Sequence, residues 1–134
     1  MNIKTVQLNL NEHTGCVVDI EFEQTQNLLI SVSLDNSIKI WDLSNNFNCL
    51  RTFDKETYDE FTTTNLEILT SQKFVTSSCN SDEGNIIIWD IVSGFQRTLN
   101  NFYSGCIYSI KVLSNYELAA SSYEDTMIRI YNIQ

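Results

Sequence analysis

Residues 28–42 read L-L-I-S-V-S-L-D-N-S-I-K-I-W-D. Leu28, Ile30 and Val32 alternate with Leu29, Ser31 and Ser33, the two-residue period of a strand with two unlike faces. Asp35-Asn36-Ser37 supplies a turn, because Asn and Asp tolerate left-handed backbone and bond their own main chain. Ile38, Ile40 and the Trp41-Asp42 pair then close a second alternating run. A two-stranded hairpin cannot bury its apolar face alone, so the chain must supply more of the same.

It does so at a regular period. Trp41-Asp42 returns as Trp89-Asp90 and, weakened, as Tyr131-Asn132, at spacings of 48 and 42 residues (89 − 41 and 131 − 89). Each pair ends a similar run: I-K-I-W-D, I-I-I-W-D and I-R-I-Y-N. Upstream lie L-L-I-S-V-S, F-V-T-S-S and L-A-A-S-S, and before those V-V-D-I-E-F, T-T-N-L-E-I and I-Y-S-I-K-V. Ile20 to Trp41 and Ile110 to Tyr131 each span 21 residues, Leu66 to Trp89 spans 23. The middle unit therefore carries two extra residues, expected between Cys79 and Gly84. A fourth alternating run precedes each unit: Val6 to Leu8, Cys49 to Phe53 and Phe95 to Leu99. With no helical stripe in view, short strands joined by polar turns predict an all-β chain of twelve strands, three repeats of four.

The length, 134 residues, fits one ordinary domain. Eight Lys and Arg against seventeen Asp and Glu give a net charge of −9. That argues against the basic face that nucleic acid or an anionic membrane requires. Arg51, Arg97 and Arg129 are scattered by repeat position and form no phosphate-reading cluster. No window approaches a membrane span. Cys16, Cys49, Cys79 and Cys106 form no C-x-x-C pair and read as reduced, partly buried thiols of a cytoplasmic protein. Proline is absent and there are four glycines, so Asn, Asp and Ser must make the turns.

These residues resemble the WD-repeat family of β-propellers. The likeness rests on His13-Thr14-Gly15 before the first strand, Ser31 and Asp35 in the hairpin, and Trp41-Asp42 at its end. It implies blades of four antiparallel strands: blade 1 at about 13–53, blade 2 at about 58–99, and blade 3 at about 103–134 without its own outer strand. The strand at 5–10 would complete another blade. It also implies that His13, Ser31, Asp35 and Trp41 form a buried hydrogen-bonded tetrad, with Ser33 the alternative to Ser31. The matching sets are incomplete: a position near Asp59 with Ser77, Glu83 and Trp89 in the second unit, and Tyr103, Ser121, Asp125 and Tyr131 in the third.

Several of these residue types also invite chemical readings. A Ser, a His and an Asp could form a catalytic triad, but the Trp competes for the Ser. His13-x-x-Cys16 is half a zinc set with no second pair at suitable spacing. Cys16 and Cys106 follow Gly15 and Gly105, a matched position expected of small core residues. Asp19, Asn65 and Ser109 align on the innermost strands and are expected to line a central channel. The charged run 54–60 reads as a solvated connection. Loops at one end gather Thr14, Leu34, Asn36, Phe61, Tyr103, Tyr123 and Glu124, and exposed aromatics favour partner contact. Phe61, Tyr103, Tyr123 and Glu124 are the expected partner-binding residues.

The resulting expectation is a noncatalytic scaffold that binds other proteins, with no cofactor and no metal. The alternative is a structural piece of a larger propeller or assembly. Propellers close with about 4–8 blades, so three blades also predict a homo-oligomer, a six-bladed ring of two chains, or docking onto further blades.

Overall fold

The computed structural model describes residues 7–54, 62–79, 83–124 and 126–134. Eleven strands and no helix appear among them. β1 (Val17–Glu23), β2 (Leu28–Ser33), β3 (Ser37–Asp42) and β4 (Asn48–Asp54) form one antiparallel sheet in chain order. β5 (Thr62–Thr70), β6 (Lys73–Cys79), β7 (Glu83–Asp90) and β8 (Gln96–Ser104) form a second. β9 (Ile107–Ser114), β10 (Glu117–Ser122) and β11 (Ile128–Asn132) form a third, of three strands. We call these sheets blades 1, 2 and 3.

The turns follow the expected chemistry. Asn36 takes φ 65° between β2 and β3, and its N–H donates to the Ser33 carbonyl at 3.1 Å. Asn27 and Asn46 are left-handed as well. The expected first strand does not form over its described part: residues 7–10 belong to no sheet, and 5–6 lie outside the described residues. A strand there needs a partner edge, and none of the described strands pairs with it.

Each seam between blades is an apolar layer. Leu28, Ile30, Val32, Ile38 and Ile40 of blade 1 pack with Leu66, Phe74, Ile87, Trp89 and Ile91 of blade 2. Val75, Ile86 and Ile88, on the far side of blade 2, pack with Ile107, Ile110, Leu118, Ala120 and Ile133. The two-residue period assigns alternate side chains to opposite seams. Phe74 stacks on Trp89 at 5.9 Å, and Phe53 from the outer strand β4 stacks on the same ring at 5.6 Å.

Polar side chains tie the inner strands across these seams. Leu66 N–H donates to Asp19 Oδ2 at 2.8 Å. Asn65 Nδ2 donates to the Tyr108 carbonyl at 3.2 Å. Asp19 and Asn65, expected as channel lining, thus serve as blade-to-blade clamps; Ser109, at the third matched position, is exposed.

Candidate functional site

The four residues singled out in the first repeat meet at the β2–β3 end of blade 1. Trp41 Nε1 donates to Ser31 Oγ at 2.9 Å. Ser31 Oγ lies 2.7 Å from His13 Nε2, and His13 Nδ1 lies 2.9 Å from Asp35 Oδ2. With the Ser31 oxygen accepting the indole proton, its hydroxyl donates to Nε2, which places the imidazole proton on Nδ1 facing Asp35. Asp35 also receives Thr14 N–H at 2.8 Å, Ser37 N–H at 2.8 Å and Ser37 Oγ at 2.6 Å. Burial would raise the Asp35 pKa, but the Ser37, Thr14 and His13 donors outweigh it and hold the carboxyl far below the usual aspartate range. Gly15 lets this turn close: a Cβ there would sit 2.7 Å from the Asp35 nitrogen.

The distances mimic a Ser-His-Asp triad, yet the arrangement does other work. Ser31 is buried, and its oxygen already holds the Trp41 indole. Among the described residues no cluster of three or more His, Cys, Asp or Glu is placed to hold a metal.

The other two units depart from the expected alignment. Trp89 Nε1 donates to Thr76 Oγ1 at 2.8 Å, not to Ser77. Ser77 instead bonds Thr64 and Asn65. The reason is register: Trp89 pairs with Phe74, two residues before Thr76, as Trp41 pairs with Leu29, two before Ser31. In the third unit Tyr131 pairs with Leu118, so the matching residue is Ala120 rather than Ser121, and it carries no hydroxyl. Asp59 and Asp125 lie outside the described residues, as does the Glu83 side chain.

The cysteines are corrected too. Cys79 at the end of β6 and Cys106 before β9 are disulfide-bonded, with Cα atoms 4.5 Å apart. The bond joins blade 2 to blade 3. Cys16, expected in the core, is exposed, and Cys49 is a half-buried free thiol.

Of the expected partner-binding residues, Tyr123 and Glu124 lie in the exposed β10–β11 turn. Tyr103 falls within β8, paired with Gly84, rather than in a loop. Phe61 lies outside the described residues. Sequence reading missed Tyr108: its ring stacks on Tyr123 with centroids 5.9 Å apart, and both are exposed. A lone aromatic at the start of an inner strand was the available signal. Also missed was the opposite end, where Phe95, Tyr116, Lys73 and Arg97 border an open groove of about 680 Å³. The isolated aromatic in the turn before β8 marked that place.

A row of charge crosses the inner strands at matched positions: Glu21, Glu67 and Lys111. Lys111 Nζ pairs with Glu67 Oε1 at 2.6 Å. Burial, then the neighbouring Glu67 and Asp19 carboxylates, raise the pKa of Glu21. No helix long and apolar enough to cross a membrane occurs among the described residues.

Comparison with known proteins agrees with this geometry. Residues 4–42 match the family model described as WD domain, G-beta repeat. The chain is 30% identical over 80 residues to the tRNA (guanine-N(7)-)-methyltransferase non-catalytic subunit wdr4 of Dictyostelium discoideum, covering 60% of this chain and 14% of that protein. It is 28% identical over 107 residues to nuclear distribution protein nudF 1 of Talaromyces marneffei, covering 78% of this chain and 22% of that one. The chain thus spans less than a quarter of either relative. The solved structure of U3-55K superposes with a TM-score of 0.78 at 18% identity, over 92% of this chain and 36% of that one, a likeness of fold.

Proposed function

We propose that the chain is a WD-repeat protein, a noncatalytic scaffold that binds other proteins through the tetrad end of its blades, a reading supported by the family match over residues 4–42. The observation that carries this reading is the stacked, exposed pair Tyr108 and Tyr123. Two rigid aromatics standing in water at a turn-rich end form the kind of surface that anchors a partner. Glu124 stands beside them, and Gly105, left-handed at φ 87°, holds the chain close against it. The reading includes no catalysis, because the Ser31, His13 and Asp35 set is committed to holding Trp41.

A second reading places the partner in the Phe95 and Tyr116 groove at the opposite end, favoured by its volume of about 680 Å³. Immobilised parent and a Tyr108→Ala/Tyr123→Ala variant, both checked for native circular dichroism, are compared for proteins retained from extract of the source cells. The first reading expects proteins held by the parent and lost from the folded variant. Equal retention overturns it and leaves the groove.

A further inference from the structure

Cys79 and Cys106 occupy repeat positions that the other blades fill differently. Cys79 lies three residues past Thr76, as Leu34 lies three past Ser31. Cys106 follows Gly105 as Cys16 follows Gly15. At these turns the main chain bonds alike in blades 1 and 3: Leu34 N–H donates to the Cys16 carbonyl at 2.9 Å, and Tyr123 N–H to the Cys106 carbonyl at 3.0 Å. Cys16 accepts its bond as a free thiol, Cys106 as half of a disulfide. The turn therefore forms with or without a disulfide at its cysteine. What the Cys79–Cys106 bond adds is a tie between the end of β6 and this turn, across the seam of blades 2 and 3. The seam of blades 1 and 2 has Leu34 in place of Cys79 and cannot carry the same tie.

The tied turn holds the exposed aromatic pair. Besides the Tyr123 N–H on Cys106, Tyr108 stands two residues on and stacks on Tyr123. A Cβ on Gly105 would lie 3.2 Å from Glu124 Cγ. From blade 2, Gly84 pairs with Cys79 and packs so closely that a Cβ on it would sit 2.7 Å from the Gly105 carbonyl oxygen. Two other bonds cross the seam from β5: Thr64 Oγ1 to the Ile107 carbonyl and Asn65 Nδ2 to the Tyr108 carbonyl, each at 3.2 Å. These, with the apolar layer beneath, keep blade 3 in place when the disulfide is open. Neither cysteine is buried, and disulfides outside the core are the ones open to exchange and regulation.

We propose that Cys79 and Cys106 form a thiol–disulfide switch for the tetrad end of the blades. Closed, the bond fixes the turn that carries Tyr123, Glu124 and Tyr108; opened by a small thiol such as glutathione, it frees that turn while the blades stay folded. In opening, one glutathione thiolate attacks a protein sulfur and releases the other cysteine as thiolate, leaving a mixed disulfide. A second glutathione thiolate attacks the glutathione sulfur of that intermediate and frees the remaining cysteine. The protein bond gains two electrons and two protons, and two glutathiones leave as glutathione disulfide. Closing is the reverse, with glutathione disulfide as oxidant. The effect on binding rests on the scaffold reading above; the exchange chemistry does not.

The test holds the parent without denaturant in millimolar reduced glutathione or in glutathione disulfide, then traps thiols by alkylation and weighs the chain. Two trapped thiols are expected in the oxidised buffer and four in the reduced one, with native circular dichroism in both. Amide exchange is expected to rise several-fold around Cys79 and over 105–108 on opening, and to fall again on return to the oxidised buffer. The Cys79→Ser/Cys106→Ser variant exchanges like the reduced parent in either buffer. A bond that stays closed in reduced glutathione, a chain that unfolds when it opens, or exchange that does not change overturns the switch. For binding, the oxidised parent is expected to retain several-fold more protein from extract than the reduced parent, and the double serine variant to ignore the buffer. Equal retention by both forms, where Tyr108→Ala/Tyr123→Ala abolishes it, overturns control of binding. Retention that survives Tyr108→Ala/Tyr123→Ala overturns the scaffold reading instead, while thiol trapping and amide exchange still decide the switch.

Discussion

Thr76 receives the Trp89 indole at 2.8 Å and stands where Ser31 receives Trp41 at 2.9 Å, although thirteen residues separate the first pair and ten the second. The three-residue difference falls in the β6–β7 hairpin, and the paired register absorbs it. Thr76→Val keeps the shape and strands a buried indole N–H, which costs about 1–3 kcal/mol. Thr76→Ser keeps the hydroxyl and is expected to lose much less. Denaturant unfolding of both variants checks this; equal losses would mean that packing, not the bond, decides.

Trp41→Ala is expected to cost about 3–5 kcal/mol. Tyr131→Ala should cost clearly less, because Tyr131 is only partly buried whereas Trp41 is buried. Equal shifts in melting temperature would argue against the bonded set around Trp41 as the organiser of blade 1.

These comparisons mark how far the sequence could be read. The alternation through 28–42 and the Trp-Asp repeats carried the three sheets, since a strand period is local information. The partners in blade 1 were legible because all four residue types are present. Blade 2 was misaligned by one residue, Ser77 for Thr76, because three neighbouring hydroxyl residues look alike until strand pairing selects one face. The clamps made by Asp19 and Asn65, the Cys79–Cys106 bond and the Tyr108–Tyr123 stack join residues 15 to 47 positions apart. Nothing local announces such contacts.

Acid should expose Asp35. Its folded pKa lies below the unfolded value, so its stabilisation is complete above the ordinary aspartate pKa of about 4 and fades as pH falls through that value and below. Asp35→Asn is expected to melt lower than the parent at pH 7, with the gap narrowing between about pH 5 and 3. A gap unchanged by pH would contradict the hydrogen-bonded carboxylate.

Glu21 has the opposite sign. Burial, Glu67 and Asp19 raise its folded pKa, so the folded state pays for ionising it once pH exceeds the ordinary glutamate range. Glu21→Gln is expected to raise the melting temperature slightly at pH 7 and to lose that gain near pH 4. A loss of stability at pH 7 would show that Glu21 makes a favourable contact instead.

The Cys79–Cys106 bond closes a sequence separation of 27 residues, for which chain-entropy reasoning gives about 3–4 kcal/mol. Cys79→Ser/Cys106→Ser, or added phosphine reductant, should lower the denaturant midpoint accordingly, while Cys16→Ala should leave it nearly unchanged. An identical midpoint with and without reductant would show that the bond does not hold blades 2 and 3 together.

Site-specific photo-crosslinking tests the scaffold account most directly. A benzophenone side chain is placed at Tyr123 in one variant and at Phe95, on the opposite end, in another, and both are irradiated in the source cells. The account predicts a discrete protein adduct from position 123 and none from position 95. An adduct from position 95 alone would contradict it and move the binding surface to the far groove.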